Sequence, residues 1–174
     1  MVNPTNSRPS MTRILATPFA DKEFRHLINF LGFWHFASYL AVPFLGIYML
    51  TVLEMPVSMV VGLGVLSQAT NVLFLQVWGP MVDRLGSKAV LSVSSSLYLL
   101  SILGWVFTTM PDKYTLTVPL VIALHAFIGI ASAGINIATT TIRMKLSPRS
   151  QTTSYLTAAS LATNLGAGVS PLLG

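Results

Sequence analysis

The sequence predicts an all-α membrane protein of five transmembrane helices, and three observations carry that prediction. The first is composition: 53% of the 174 residues are hydrophobic and only 9% are charged, against about 25% charged in an ordinary soluble domain. Mean hydropathy is +0.70. The second is distribution, because residues 26–53, 55–82, 89–111, 114–142 and 150–174 contain no Asp, Glu, Lys or Arg. Each run exceeds the roughly 20 residues that cross a hydrocarbon core about 30 Å thick at about 1.5 Å per residue. The third is the placement of the basic residues, which sit at the ends of these runs.

Each element follows in order. Residues 1–19 form a polar tail rich in Pro, Ser and Thr, expected to be disordered and cytoplasmic. Residues 20–27 suit an interfacial lead-in helix. Lipid leaves no partner for a free backbone group, so every apolar run must be helical. The expected spans are 27–52, 57–80, 89–110, 117–141 and 152–174. Pro56, Pro111 and Pro148 fall at boundaries, where a missing N–H does least harm. Pro43 falls inside the first span, where it is expected to kink the helix. Residues 20–174 therefore read as one helical bundle.

Charge fixes the threading. Arg8, Arg13, Lys22 and Arg25 precede the first span, Arg84 and Lys88 follow the second, and Arg143, Lys145 and Arg149 follow the fourth. Nine of the ten basic residues thus fall on one side, and Lys113 alone falls opposite. Cytoplasmic loops are enriched in Lys and Arg, which puts the N-terminus in the cytoplasm. The expected location is a cell membrane, the bacterial plasma membrane, with multiple passes and the lipid bilayer as partner.

The same placement argues against nucleic acid as a partner, although the net charge is +5 and the pI near 9.9. The basic residues share no patch. With no cysteine, no disulfide framework or zinc finger arises, and a polar stretch before the first run argues against a cleavable signal. Enzyme signals are missing as well. The five acidic residues are scattered over tail and loops, so no carboxylate pair shares a site. His26, His35 and His125 lack metal-ligand spacing, no phosphate-binding loop is present, and no cofactor is expected.

The most specific local pattern is Gly79-Pro-Met-Val-Asp83-Arg84-Leu-Gly86-Ser-Lys88. It resembles the signature that the major facilitator superfamily carries between its second and third helices, Gly-x-x-x-Asp-Arg-x-Gly-x-Lys/Arg. Gly79, Asp83, Arg84, Gly86 and Lys88 meet all five defining positions, whereas Ala89 stands where a second basic residue is customary. The resemblance implies that this loop latches the two halves of a transporter in one state and releases them in the other. Physically, Gly79 and Gly86 allow close backbone approach and a tight turn. A basic turn that merely obeys the positive-inside rule is the plainer alternative.

Two further stretches are similar to family motifs, with departures. In His125-Ala-Phe-Ile128-Gly129-Ile-Ala131, His125 stands for an Arg that the family associates with proton coupling, and Ile128 stands for a Gln. Proton coupling by that route is therefore not implied. Gly166-x-x-x-Ser170-Pro171-x-x-Gly174 is similar to an exporter element, with Ser170 in place of a glycine. The resemblance covers residues 20–174 and implies an N-terminal six-helix bundle cut before its sixth helix. The C-terminal half is then a missing partner, a small solute the substrate, and the chain alone incompetent for transport. A non-transporting scaffold or sensor built on such a bundle is the competing reading.

Polar side chains at membrane depth face a bundle interior or a wet cavity. At 100° per residue His125, Gly129, Ser132, Asn136 and Arg143 share one line of the fourth span. His35, Ser38 and Tyr39 share a face of the first. His35, Tyr39, His125, Ser132 and Asn136 are accordingly the candidates for a solute path, with helix–helix bonding as the alternative role. Gln68, Asn71 and Gln76 on the second span are expected to bond between helices.

Overall fold

The structure, a computed structural model, describes residues 17–109 and 115–173. The expected tail up to residue 16 and the turn holding Asp112 and Lys113 lie outside the described residues. Among the described residues the elements are a short helical turn at 17–20 and five long helices, α1 (Lys22–Thr51), α2 (Val57–Leu85), α3 (Ser87–Gly104), α4 (Thr117–Leu146) and α5 (Thr152–Val169). A 3₁₀ segment, Trp105–Thr109, prolongs α3, and another, Ser170–Leu172, ends α5.

Local chemistry sets the ends. Asp21 caps α1, its Oδ1 accepting from the amides of Glu23 at 3.0 Å and Phe24 at 3.2 Å, which satisfies two of the orphan donors of a helix start. Of the expected lead-in at 20–27, the residues from Lys22 onward are therefore the first turns of α1 itself, and residue 20 ends the separate turn at 17–20. At the other end the amides of Val52 and Leu53 both reach the Tyr48 carbonyl, at 2.9 and 3.1 Å. Glu54 then takes a left-handed φ of 53°, and Pro56 opens α2.

α2 runs through Pro80 to Leu85, beyond the expected end at residue 80. Pro80 removes one ladder bond, but Trp78 and Val82 are buried on either side of it in a cluster with Val90, Ala133 and Ala138. That packing holds the helix together across the proline. α3 tightens to 3₁₀ geometry after Gly104, where Thr108 Oγ1 donates to the Trp105 carbonyl at 2.7 Å.

By length and apolar composition Lys22–Thr51, Val57–Leu85, Ser87–Thr109 and Thr117–Leu146 can each cross a membrane. α5 has 18 residues and includes Thr152, Thr153, Ser154, Thr157, Ser160, Thr163 and Asn164, so it is less apolar than the other four. Among the described residues four helices thus meet that measure where five spans are expected, and the all-α membrane class holds. Val57, Val61, Val65 and Val72 lie exposed along α2, as lipid-facing side chains do.

The chain divides into two compact units, one of residues 1–44 with 143–174 and one of residues 45–142. In the first, α1 meets α5 where Phe24 packs on Tyr155, and Leu27, Ile28, Leu31, Ala158 and Ala159 are buried in the same unit. In the second, α2, α3 and α4 enclose two apolar clusters. Met49, Leu53, Met55, Leu63, Trp105, Val121 and Leu124 form one, and the Trp78 cluster is the other.

Candidate functional site

The turn between α2 and α3 consists of one residue. The Gly86 amide closes α2 by donating to the Val82 carbonyl at 3.0 Å, and the Gly86 carbonyl accepts from Val90 at 3.3 Å in the first turn of α3. Its φ of 86° and ψ of 152° lie in a region that is essentially glycine-only. A Cβ there would meet nothing within 4 Å. Conformation, and not crowding, is what requires glycine at this position.

Gly79 differs. A Cβ on it would lie 3.6 Å from Ile137 Cδ1, an ordinary contact, so no close approach within this unit requires it. Asp83, Arg84 and Lys88 are exposed around the turn. Among the described residues none of the three is hydrogen-bonded or ion-paired. The sharp turn thus presents one carboxylate and two cations to the outside of the unit.

In the unit that contains the first part of α1, His35 Nδ1 bonds the Leu31 carbonyl at 2.9 Å. A carbonyl only accepts, so Nδ1 is the donor in this bond. The ring stacks on Tyr39, with centroids 6.4 Å apart and planes 15° apart. His35 is half-buried and Tyr39 is exposed. The two aromatic candidates of α1 therefore form a pair.

The same unit joins α1 to α5 at matched heights. Tyr155 packs edge-on against Phe24 at 4.6 Å and donates its hydroxyl to Asp21 Oδ2 at 3.1 Å. Further along, a Cβ on Gly166 would press on the Gly32 carbonyl and stand 3.1 Å from the Phe36 amide. Beyond that, the fully buried Ser170 donates its hydroxyl to the Phe36 carbonyl. The contacts advance together along both chains, so α1 and α5 run parallel. Small residues let the two backbones touch. Arg143 belongs to this unit, in the last turn of α4, where a cation suits the helix dipole.

In the other unit the α4 candidates separate. His125 Nδ1 bonds the Val121 carbonyl at 2.9 Å, and its ring meets Trp105 edge-on at 5.5 Å. Ser132 is half-buried and Asn136 is exposed. His125 and Asn136 share a line of the helix but stand about 16 Å apart along its axis at about 1.5 Å per residue.

Between α2 and α4 runs a ladder that the sequence disclosed only in part. Ser67 Oγ donates to the His125 carbonyl at 2.9 Å, Asn71 Nδ2 to the Gly129 carbonyl at 3.4 Å, and Trp78 Nε1 to the Ile130 carbonyl at 2.9 Å. Asn71 was expected to bond between helices, whereas Gln68 and Gln76 are exposed and unbonded among the described residues. Ser67 and Trp78 carried no distinguishing pattern. Near the end of α1 Tyr48 meets Thr108 Oγ1 at 2.7 Å and Thr109 Oγ1 at 3.1 Å in the 3₁₀ segment that prolongs α3.

The family model described as Major Facilitator Superfamily matches residues 11–174. No curated protein and no solved structure matches the chain.

Proposed function

Because this chain belongs to the major facilitator superfamily, we propose that it serves secondary active transport of a small solute by alternating access. The family consists of transporters, and this chain is a multi-pass membrane protein whose apolar helices sit in the bilayer. The observation that carries the finer reading is the Gly86 turn. A one-residue joint between two long helices holds Asp83, Arg84 and Lys88 outward with no partner among the described residues. Such a joint suits a latch, because charges that bond nothing within their own bundle are available to a second one.

Alternating access needs two helical bodies that rock about a central site. These helices supply one body, and the remainder of a complete transporter supplies the other. The turn lies in the cytoplasm of a bacterial cell, on the side that holds nine of the ten basic residues. His35, Tyr39, His125, Ser132 and Asn136 are the candidates for the solute path, and the His125 ring also meets Trp105 edge-on. Carboxylates are missing from the apolar runs, which favours a neutral or zwitterionic solute.

The test is uptake and efflux of a panel of labelled solutes by proteoliposomes holding the complete gene product, wild type against Asp83→Asn. The account expects transport by the wild type and a loss of about tenfold in the variant, the size of an ordinary coupling free energy of about 1–3 kcal/mol. Equal flux in both removes the latch. No flux of any solute in either favours the scaffold or sensor reading.

A further inference from the structure

We infer that Ser170 is a positioning residue, which ties to α5 the turn of α1 that carries His35. Three contacts meet in that turn. The Ser170 hydroxyl donates to the Phe36 carbonyl, Gly166 lies against the Gly32 carbonyl and the Phe36 amide, and His35 Nδ1 bonds the Leu31 carbonyl. Residues 31–36 of α1 are therefore held on both sides of His35, from one side by α5 and from within by the imidazole itself.

Ser170 is 0% exposed, so its hydroxyl has no water to bond and must find a protein acceptor. The Phe36 carbonyl already serves the helix ladder and takes the serine with its second lone pair. A glycine at the same position would let the backbones pass equally close and would leave the carbonyl untouched. The serine converts a sliding contact into a fixed register. Pro43, which removes the ladder bond to the Tyr39 carbonyl, follows within two turns, and the boundary between the two units falls at Phe44. Contacts with α5 fix the register of α1 ahead of that proline, and Ser170 supplies one of them.

The functional weight of this rests on the transport role proposed above, but its test does not. These 174 residues hold three histidines, His26, His35 and His125, and nitrogen-15 histidine labelling of the complete protein in detergent gives each ring a pair of signals, one for each ring nitrogen. His26→Gln, His35→Gln and His125→Gln assign the three pairs. The inference expects Ser170→Ala and Ser170→Gly to move the His35 pair while His26 and His125 stay in place. Ser170→Cys, which keeps the size and a weak donor, is expected to return the His35 pair toward its wild-type position. An unmoved His35 pair in Ser170→Ala overturns the inference. So does a joint displacement of all three pairs, which marks a role in folding and not in positioning. Absence of solute flux in the wild type would sink the transport reading and leave this result standing.

Discussion

Gly86 and Gly79 belong to one sequence pattern and do different physical work. Gly86 occupies φ 86°, ψ 152° in open space, so alanine there is strained by backbone alone, at about 1–3 kcal/mol. Gly79 tolerates a Cβ at 3.6 Å from Ile137, and alanine there should stay within about 0.5 kcal/mol of wild type. Thermal unfolding in detergent checks both: a clear fall in melting temperature for Gly86→Ala, none for Gly79→Ala. Equal effects would show that the turn is held by something besides its glycine torsion. If Gly79→Ala nevertheless slows transport, its small size serves the second body and not this fold. The spacing of the motif made Gly86 legible in the sequence. It could not separate the two glycines, because a torsion and a vacancy leave the same letter.

At the scale of elements, the α2–α4 contact has the most to lose. A Cβ on Gly129 would strike Thr70 Oγ1 and the Ser67 carbonyl, and one on Gly134 would stand 2.7 Å from Ser94 Cβ and 3.0 Å from Trp78 Cε2. Backbone at Gly129 cannot yield as a flexible side chain can. Gly129→Ala should therefore cost about 1–3 kcal/mol as overpacking and also strain the Ser67 and Asn71 bonds. Denaturation of the purified protein reads this directly, and a variant as stable as wild type would mean the helices sit further apart than described. The existence and order of the helices were legible, since charge-free runs of this length admit no other structure in lipid. Their ends were less so. α2 passes Pro80 because Trp78 and Val82 are packed on both sides of it, a tertiary effect that no local rule contains. The Asp21 cap was legible in principle, as an Asp directly before the first helix. The ladder donors Ser67 and Trp78 were not, because which α4 carbonyl faces them depends on how the helices rotate.

At the scale of the whole molecule, the account places the chain in a membrane with the Gly86 turn inside the cell and the Glu54 turn outside. The placement of the basic residues supports this threading; the sequence alone does not assign the solute path, because His35, Tyr39, His125, Ser132 and Asn136 lie on two different helices. These 174 residues contain no cysteine, so a cysteine introduced among them is the one labelling site within this stretch. Val52 and Ala89 are both exposed and flank the two turns. The decisive measurement is reaction of Val52→Cys and Ala89→Cys with a membrane-impermeant maleimide, in intact cells and again after permeabilisation. The account predicts labelling of position 52 in intact cells and of position 89 only once the membrane is opened. Labelling of position 89 from outside intact cells, with position 52 protected, would invert the threading and contradict a cytoplasmic latch.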